Sequence, residues 1–101
     1  MPNPVIEILK ARRATRAILP DPLPDPVVEE LIEAARLAPS CRNNQPWRYI
    51  FMTTPESLAR GREVLTEGNR VWADRAPLLI LAHTRAEDDC TIKDGREYHQ
   101  F

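Results

Sequence analysis

Two polar stretches of this chain carry side chains that could bind a ligand. The first, residues 12–16, reads RRATR and places the guanidinium groups of Arg12, Arg13 and Arg16 within five residues. Guanidinium groups bind phosphate oxygens in a forked geometry. A solvated basic turn is the alternative interpretation of this arginine cluster, because surface arginines are common. On its own, the cluster is compatible with either an anion site or an ordinary surface.

The second stretch, residues 39–47, reads PSCRNNQPW and is called the polar loop below. Ser40, Asn43 and Gln45 offer hydroxyl and amide groups, which can contact a polar ligand or brace a turn. Trp47 at its end can stack on a flat ring or belong to the core. The composition of the loop favours neither ligand contact nor turn bracing over the other.

Other kinds of site find little support in the residue pattern. With three glycines and no GxGxxG or GxxxxGK[ST] pattern, a nucleotide would have to be held by side chains rather than by a glycine-rich loop. His83 and His99 do not pair with a cysteine at zinc-ligand spacing, so we predict no metal site. Cys41 and Cys90 form no CxxC pair, and we predict two reduced thiols rather than a disulfide.

Length and charge exclude several classes of partner. A chain of 101 residues is long enough for one domain, and we predict a single domain over residues 1–101. The net charge of −1 gives no general attraction for nucleic acid or for an anionic membrane. No apolar run approaches the roughly 20 residues of a membrane helix, and the N-terminus lacks a secretory pattern. We therefore expect a cytoplasmic protein with no nucleic-acid or membrane partner.

The N-terminal part of the chain is predicted to be helical on both sides of a proline-rich connector. Asn3 and Pro4 predict the cap and the first residue of a short helix that runs toward Arg12. Four prolines within residues 18–26 predict an extended connector. Residues 25–38 have the apolar spacing of an amphipathic helix, which Pro39 ends.

The rest of the chain is predicted to alternate between strands and helices. Residues 47–53 predict a strand with Trp47, Tyr49 and Phe51 on one face. Thr54 and Pro55 begin a helix that ends near Gly68, and residues 69–76 predict a further short helix.

A second strand and a turn complete the pattern. The apolar run PLLILA at residues 77–82 predicts a strand buried on both faces. Asp94 and Gly95 predict a turn within a polar segment. Two strands joined through a helix imply a right-handed parallel pair. So small a sheet must be covered by something else, such as a second copy of the chain.

The two polar stretches together resemble motifs of the nitroreductase family of flavin enzymes. That family combines a short helix ending in an RR-(S)-x-R-like motif, a proline-rich connector, a helix ending in A-x-x-A-P-S, and N-x-Q-P-W entering a strand. Here the corresponding segments are RRATR and APSCRNNQPWRY, and PLLILA matches the family's next strand. The resemblance extends over essentially the whole chain, and the QPW motif is its most specific part.

The resemblance implies a fold, a cofactor and an assembly. The fold would be nitroreductase-like α/β, an α+β sandwich with helices packed on a small sheet, in an intertwined homodimer. The cofactor would be FMN, which carries electrons from NAD(P)H to a small-molecule acceptor such as a nitroaromatic or a quinone. By the same resemblance, the cofactor-binding residues would be Arg12, Arg13 and Arg16 at the FMN phosphate and ribityl chain, and Ser40, Asn43 and Gln45, in part from the partner subunit.

Two departures from the family pattern shape the expected activity. Ala14 stands where many members have a serine, so one hydroxyl contact to the flavin is missing. Family members also continue beyond the position of Phe101 into a long dimer-forming helix and further flavin contacts. We therefore expect the N-terminal portion of the family fold, with impaired oxidoreductase activity. The alternative is a non-catalytic dimerisation or flavin-binding fragment of that fold.

Overall fold

The computed structural model describes residues 1–91 and 97–98. Within these residues the helices and strands follow the predicted order, from two helices to a strand, two more helices and a strand. Their bounds are α1 (Pro4–Ala11), α2 (Asp25–Arg36), β1 (Arg48–Met52), α3 (Pro55–Glu63), α4 (Glu67–Ala73), β2 (Leu79–His83), β3 (Cys90–Thr91) and β4 (Glu97–Tyr98). The turn predicted at Asp94 and Gly95 lies outside the described residues, as does His99. No described helix is both long and apolar enough to cross a bilayer.

Side-chain caps explain where α1 and α3 begin. The side chain of Asn3 accepts a hydrogen bond from the Val5 amide (3.0 Å), which confirms the predicted start of α1. At α3, Thr54 and Ser57 form a reciprocal capping box, with the Ser57 amide donating to Thr54 Oγ1 (3.2 Å). The helix that was predicted to end near Gly68 ends earlier, at Glu63, and α4 begins at Glu67.

β1 and β2 pair antiparallel, with Ile50 opposite Leu81 and Met52 opposite Leu79. The predicted parallel pair is therefore wrong. That prediction applied the handedness rule for βαβ crossovers, which concerns strands that are already parallel and does not itself set the direction of the second strand. In the structure, the connection through α3 and α4 brings the chain into β2 in the opposite direction to β1.

The core is small, and α3 is the helix that packs on both strands of the larger sheet. The buried apolar residues of the described chain are Met52, Leu58, Ala73, Ala76 and Cys90. Gly61 permits the close approach of α3, because a Cβ at this position would lie 2.8 Å from Met52 Sδ and 3.0 Å from Leu79 Cδ1. A larger residue could fit only if Met52 and Leu79 moved.

Helices flank the sheet on both faces without covering it. Trp47, Tyr49 and Phe51 share one face, as predicted, and line a groove together with Ile32 and Ala35 of α2. On the other face, which α3 covers in part, an apolar groove remains open between the sheet and α3, lined in part by Ile50, Val64 and Leu81.

The prediction that β2 is buried on both faces is wrong. Ile80 and Leu81 retain 44% and 42% of their accessible surface. Within the described residues β2 pairs with β1 alone, so no further strand and no complete helical layer shields it.

The N-terminal region is more open than the sheet region. No residue of α1 or α2 is buried, and Val5, Ile8 and Leu9 are 60%, 68% and 59% exposed. The radius of gyration is 16.8 Å, compared with about 13 Å for a compact chain of this length. The apolar faces of both helices are therefore available to a surface outside the described residues.

A disulfide joins Cys41 to Cys90 across 49 residues of sequence, with their Cα atoms 5.9 Å apart. The predicted pair of reduced thiols is therefore wrong. The prediction used the large sequence separation and the lack of a CxxC spacing, neither of which reports distance in the fold. The bond ties the polar loop to the beginning of β3.

Candidate functional site

The polar loop connects α2 to β1 and is braced by its own hydrogen bonds. The amide of Asn43 donates to the Ser40 carbonyl (3.1 Å), and the amide of Asn44 donates to the Cys41 carbonyl (3.0 Å). Ser40 Oγ accepts a hydrogen bond from the Gln45 amide (3.0 Å). Ser40 therefore stabilises the turn, which was one of the two interpretations of this loop.

The loop also holds a backbone shape that most residues avoid. Arg42, Asn43 and Gln45 have φ values of 53°, 56° and 50°, in the left-handed region. Such conformations cost roughly 1–3 kcal/mol for each residue and persist where the surroundings impose them. The Cys41–Cys90 disulfide and the fully buried Pro46 anchor the loop within the fold. Strained, well-anchored loops of this kind are concentrated at ligand sites.

Several polar atoms of the loop remain available to a ligand. Gln45 Nε2 donates to Asn43 Oδ1 (3.1 Å), and this contact orients both exposed amides. Among the described residues, these contacts leave free the side-chain Nδ2 of Asn43, the side-chain Oε1 of Gln45 and the hydroxyl hydrogen of Ser40. Donors and an acceptor so close together are complementary to the polar edge of a heteroaromatic ring.

The three guanidinium groups of the arginine cluster behave differently from one another. Arg13 Nη1 donates to the carbonyls of Lys10 (2.7 Å) and Arg12 (2.9 Å), and so satisfies acceptors at the end of α1. Within the described residues, the guanidinium groups of Arg12 and Arg16 make no hydrogen bond or ion pair. All three side chains are exposed. Arg12 and Arg16 are therefore the two cations most available to an anion.

Arg16 also lines a cavity of about 320 Å³ between the connector and α4. Trp72 and Arg75 line the same cavity from the other element. Arg75 was not among the predicted site residues, and it lies in the turn after α4. The helix predicted over residues 69–76 would have placed Trp72 and Arg75 on one face, and this spacing is the signal that could have identified Arg75.

The two polar stretches do not meet in the structure. Ser40, Asn43 and Gln45 are brought together in one loop, whereas Arg12 and Arg16 extend from the end of α1 and the connector. In residues 1–91, no hydrogen bond or ion pair joins the arginine cluster to these loop side chains. A single ligand of both groups would have to bridge them, within one chain or between two copies.

Residues 9–71 match the model of the Nitroreductase family. This segment is more than half of the chain and includes both the arginine cluster and the polar loop. A family relationship over such a span indicates that the two stretches are part of one inherited architecture rather than separate coincidences of sequence.

Individual proteins show the same similarity. The chain is 32% identical over 77 residues to an NADH dehydrogenase of Thermus thermophilus, covering 76% of this chain and 37% of that protein. It is 46% identical over 46 residues to a 4-nitrobenzoate reductase of Pseudomonas putida, covering 46% of this chain and 20% of that protein.

A solved structure matches the fold more completely. The crystal structure of an oxidoreductase containing FMN superposes with a TM-score of 0.75 at 30% sequence identity, covering 96% of this chain and 48% of that one. The chain thus spans less than half the length of each of these proteins. By its architecture and by its family match, it has the α/β fold of the nitroreductases and belongs to the nitroreductase family.

Proposed function

We propose that this chain binds FMN and serves an FMN-dependent oxidoreductase of the nitroreductase type. The observation that carries the proposal is the pair of unpaired guanidinium groups of Arg12 and Arg16, within the segment that matches the family. A phosphate monoester carries a charge of roughly −1.5 to −2 at neutral pH, which two guanidinium groups can neutralise through charge-assisted hydrogen bonds. The FMN of the matching solved oxidoreductase supports the choice of cofactor.

Each residue of the arginine cluster has a distinct part in the proposed site. Arg12 and Arg16 bind the phosphate, because neither guanidinium is engaged elsewhere in the described residues. Arg13 uses Nη1 for carbonyls of its own chain, which leaves Nε and Nη2 to donate to the ribityl hydroxyls. The donor set therefore fits a phosphate ester with a polyhydroxyl chain.

The polar loop would contact the ring system of the cofactor. Asn43 and Gln45 present a donor and an acceptor to the edge of the flavin, and Ser40 donates its hydroxyl hydrogen while still bracing the loop. In a homodimer, the loop of one subunit would face the arginine cluster of the other. This arrangement accounts for two polar stretches that make no contact within one chain.

The redox chemistry would belong to the cofactor. Bound FMN would supply hydride and electron transfer between NAD(P)H and a small-molecule acceptor, for which nitroaromatics and quinones are the proposed classes. The names of the similar NADH dehydrogenase and 4-nitrobenzoate reductase support this donor and this acceptor class. The chain's own residues would bind and orient the flavin.

Purified protein tests the proposal directly. We expect flavin absorbance in the isolated chain, or a rise in melting temperature when FMN is added, since a ligand at 100 times its Kd stabilises a fold by about 2.7 kcal/mol. A colourless protein whose melting temperature is unchanged by FMN would refute flavin binding by this chain.

Substitutions then test the proposal that Arg12 and Arg16 bind the FMN phosphate. Arg12→Ala combined with Arg16→Ala should weaken FMN binding by tenfold or more, and Ser40→Ala should weaken it less. Arg70→Ala is the matched control, because Arg70 is an exposed arginine of α4 that does not line the cavity with Arg16. Equal losses in the arginine and serine variants would contradict the phosphate assignment.

A second candidate function is a dimerisation or flavin-binding module without catalysis. The exposed apolar faces of α1 and α2 favour it, because they offer a large surface to another chain. NAD(P)H oxidation assays separate the two candidates. Turnover by the isolated chain in the presence of FMN would exclude the non-catalytic module, whereas FMN binding without turnover would support it.

A further inference from the structure

The cavity between the connector and α4 combines two arginines with an otherwise apolar and aromatic lining. Its volume of about 320 Å³ is at the lower end of the range found for small-molecule pockets. Arg16 lines it from the connector, and Arg75 lines it from the end of α4. Two cations from separate elements therefore meet at one concave surface.

No acidic side chain compensates these two charges. The cavity lining contains no aspartate or glutamate, and the described residues provide no ion pair for Arg16 or Arg75. The adjacent carboxylate of Asp74 is directed to α3, where its Oδ1 lies 3.9 Å from Arg62 Nε. Two uncompensated guanidinium groups beside one cavity repel each other, and a bound anion would turn that repulsion into attraction.

Trp72 adds a second kind of contact to the same cavity. Its side chain is half-buried, and its indole makes no hydrogen bond to another described residue. The indole offers one N–H donor and an aromatic face. A guanidinium group or a flat organic ligand can pack on that face while an anionic group binds the arginines.

We propose that Arg16, Trp72 and Arg75 form a binding site for an oxyanion, with Arg75 as a binding residue in addition to the arginine cluster. The FMN phosphate is the favoured occupant, and the choice of FMN rests on the proposed function. A carboxylate of an acceptor substrate has the same chemistry and is the other source. The site itself, an oxyanion pocket between the connector and α4, does not depend on flavin binding.

The experiment compares Arg75→Gln with Arg70→Gln, two substitutions that each remove one exposed arginine near the end of α4. Binding of FMN and of riboflavin, which lacks the phosphate, is measured by quenching of flavin fluorescence. The rise in melting temperature is measured with inorganic phosphate, and with benzoate against uncharged benzyl alcohol. Arg75→Lys serves as a charge-conserving variant, and circular dichroism confirms that each variant is folded.

We expect Arg75→Gln to weaken FMN binding roughly tenfold and riboflavin binding less than twofold, with Arg75→Lys between the wild type and Arg75→Gln. Arg70→Gln should leave both affinities within twofold of wild type. If Arg75→Gln reduces the melting-temperature shift with benzoate but leaves FMN and phosphate binding unchanged, the oxyanion site is supported and its occupant is a carboxylate. If Arg75→Gln matches Arg70→Gln for FMN, phosphate and benzoate, the proposed site is overturned.

The same data separate this inference from the proposed function. A wild-type chain that fails to bind FMN refutes the proposed function. A melting-temperature shift with phosphate that is lost in Arg75→Gln and kept in Arg70→Gln would still establish the oxyanion site. A wild-type chain that binds FMN while Arg75→Gln behaves as the control supports flavin binding and refutes the role of Arg75.

Discussion

The sheet region and the N-terminal region of this chain differ in how they are held. In the sheet region, α3 packs against β1 and β2, and Met52, Leu58 and Ala76 are buried. In the N-terminal region, α1 and α2 contain no buried residue. Both regions have amphipathic elements, but only the sheet region brings two apolar faces together within the described residues.

The two parts of the proposed site, the polar loop and the arginine cluster, differ in the same way. The polar loop is anchored to the fold by the Cys41–Cys90 disulfide and by the buried Pro46. The arginine cluster lies at the end of α1, in the region without a core of its own. A flavin, or a second copy of the chain, would therefore supply contacts to the N-terminal region that the sheet region already has.

The largest expected effect is the loss of a core side chain in the sheet region. Leu58→Ala should lower the free energy of unfolding by about 2–5 kcal/mol, because it removes a buried side chain and leaves a cavity. Urea denaturation of dilute protein measures this change. Leu9→Ala is the matched control, and since Leu9 is exposed we expect a change within about 0.5 kcal/mol. Equal losses would show that α1 is packed as firmly as α3.

Loss of the Cys41–Cys90 disulfide is expected to lower the free energy of unfolding nearly as much as Leu58→Ala. Replacing Cys41 and Cys90 together by serine should lower the free energy of unfolding by about 2–4 kcal/mol, because the bond closes a long loop in the unfolded chain. Wild-type protein treated with dithiothreitol should unfold at the same urea concentration as the double variant. FMN affinity should fall as well, since the polar loop loses one of its anchors. An unchanged urea midpoint after reduction would contradict the stabilising role.

Two glycines test the close packing of α3 with a smaller effect. Gly61→Ala should destabilise the protein by up to about 2 kcal/mol, because the overlap with the buried Met52 side chain outweighs the roughly 1 kcal/mol that alanine gains over glycine inside a helix. Gly68→Ala in α4 should be neutral or stabilising by up to about 1 kcal/mol, because its Cβ would meet no atom within 4 Å. A melting temperature that falls in Gly61→Ala and is unchanged or rises in Gly68→Ala would confirm that α3 packs closely against the sheet. A change of the same sign in both variants would contradict that close packing.

The smallest expected effect concerns self-association through the N-terminal region. Ile8→Ser should weaken a homodimer about fivefold, equivalent to roughly 1 kcal/mol, if the exposed side chain of Ile8 is covered by the partner. Sedimentation equilibrium at several concentrations measures the dissociation constant. Lys10→Ser, on the same helix, should change it less than twofold. Identical dissociation constants for the two variants would place the dimer contact elsewhere.

Much of the local structure and of the site chemistry was predictable from short segments. The cap at Asn3, the capping residue Thr54 and the proline-rich connector act over three or four residues, so the boundaries that depend on them agree with the structure. The alternation of Trp47, Tyr49 and Phe51 likewise indicated which side chains share a face of β1. The donor types of the arginine cluster and the polar loop allowed an anionic, polar ligand but also allowed a solvated turn, and only the family resemblance favoured the ligand.

Other features depend on which distant segments come together, and no short pattern reports that. The antiparallel direction of β2 depends on how the connection through α3 and α4 returns the chain to the sheet, and the exposure of Ile80 and Leu81 follows from the lack of a further layer in the described fold. The disulfide between Cys41 and Cys90 and the meeting of Arg16 with Arg75 join residues that are 49 and 59 positions apart. The sequence alone therefore specified the local elements and the types of polar group in the two stretches, because those depend on neighbouring residues. Only the tertiary structure decided pairing, exposure and the composition of the cavity, because those depend on packing between distant ones.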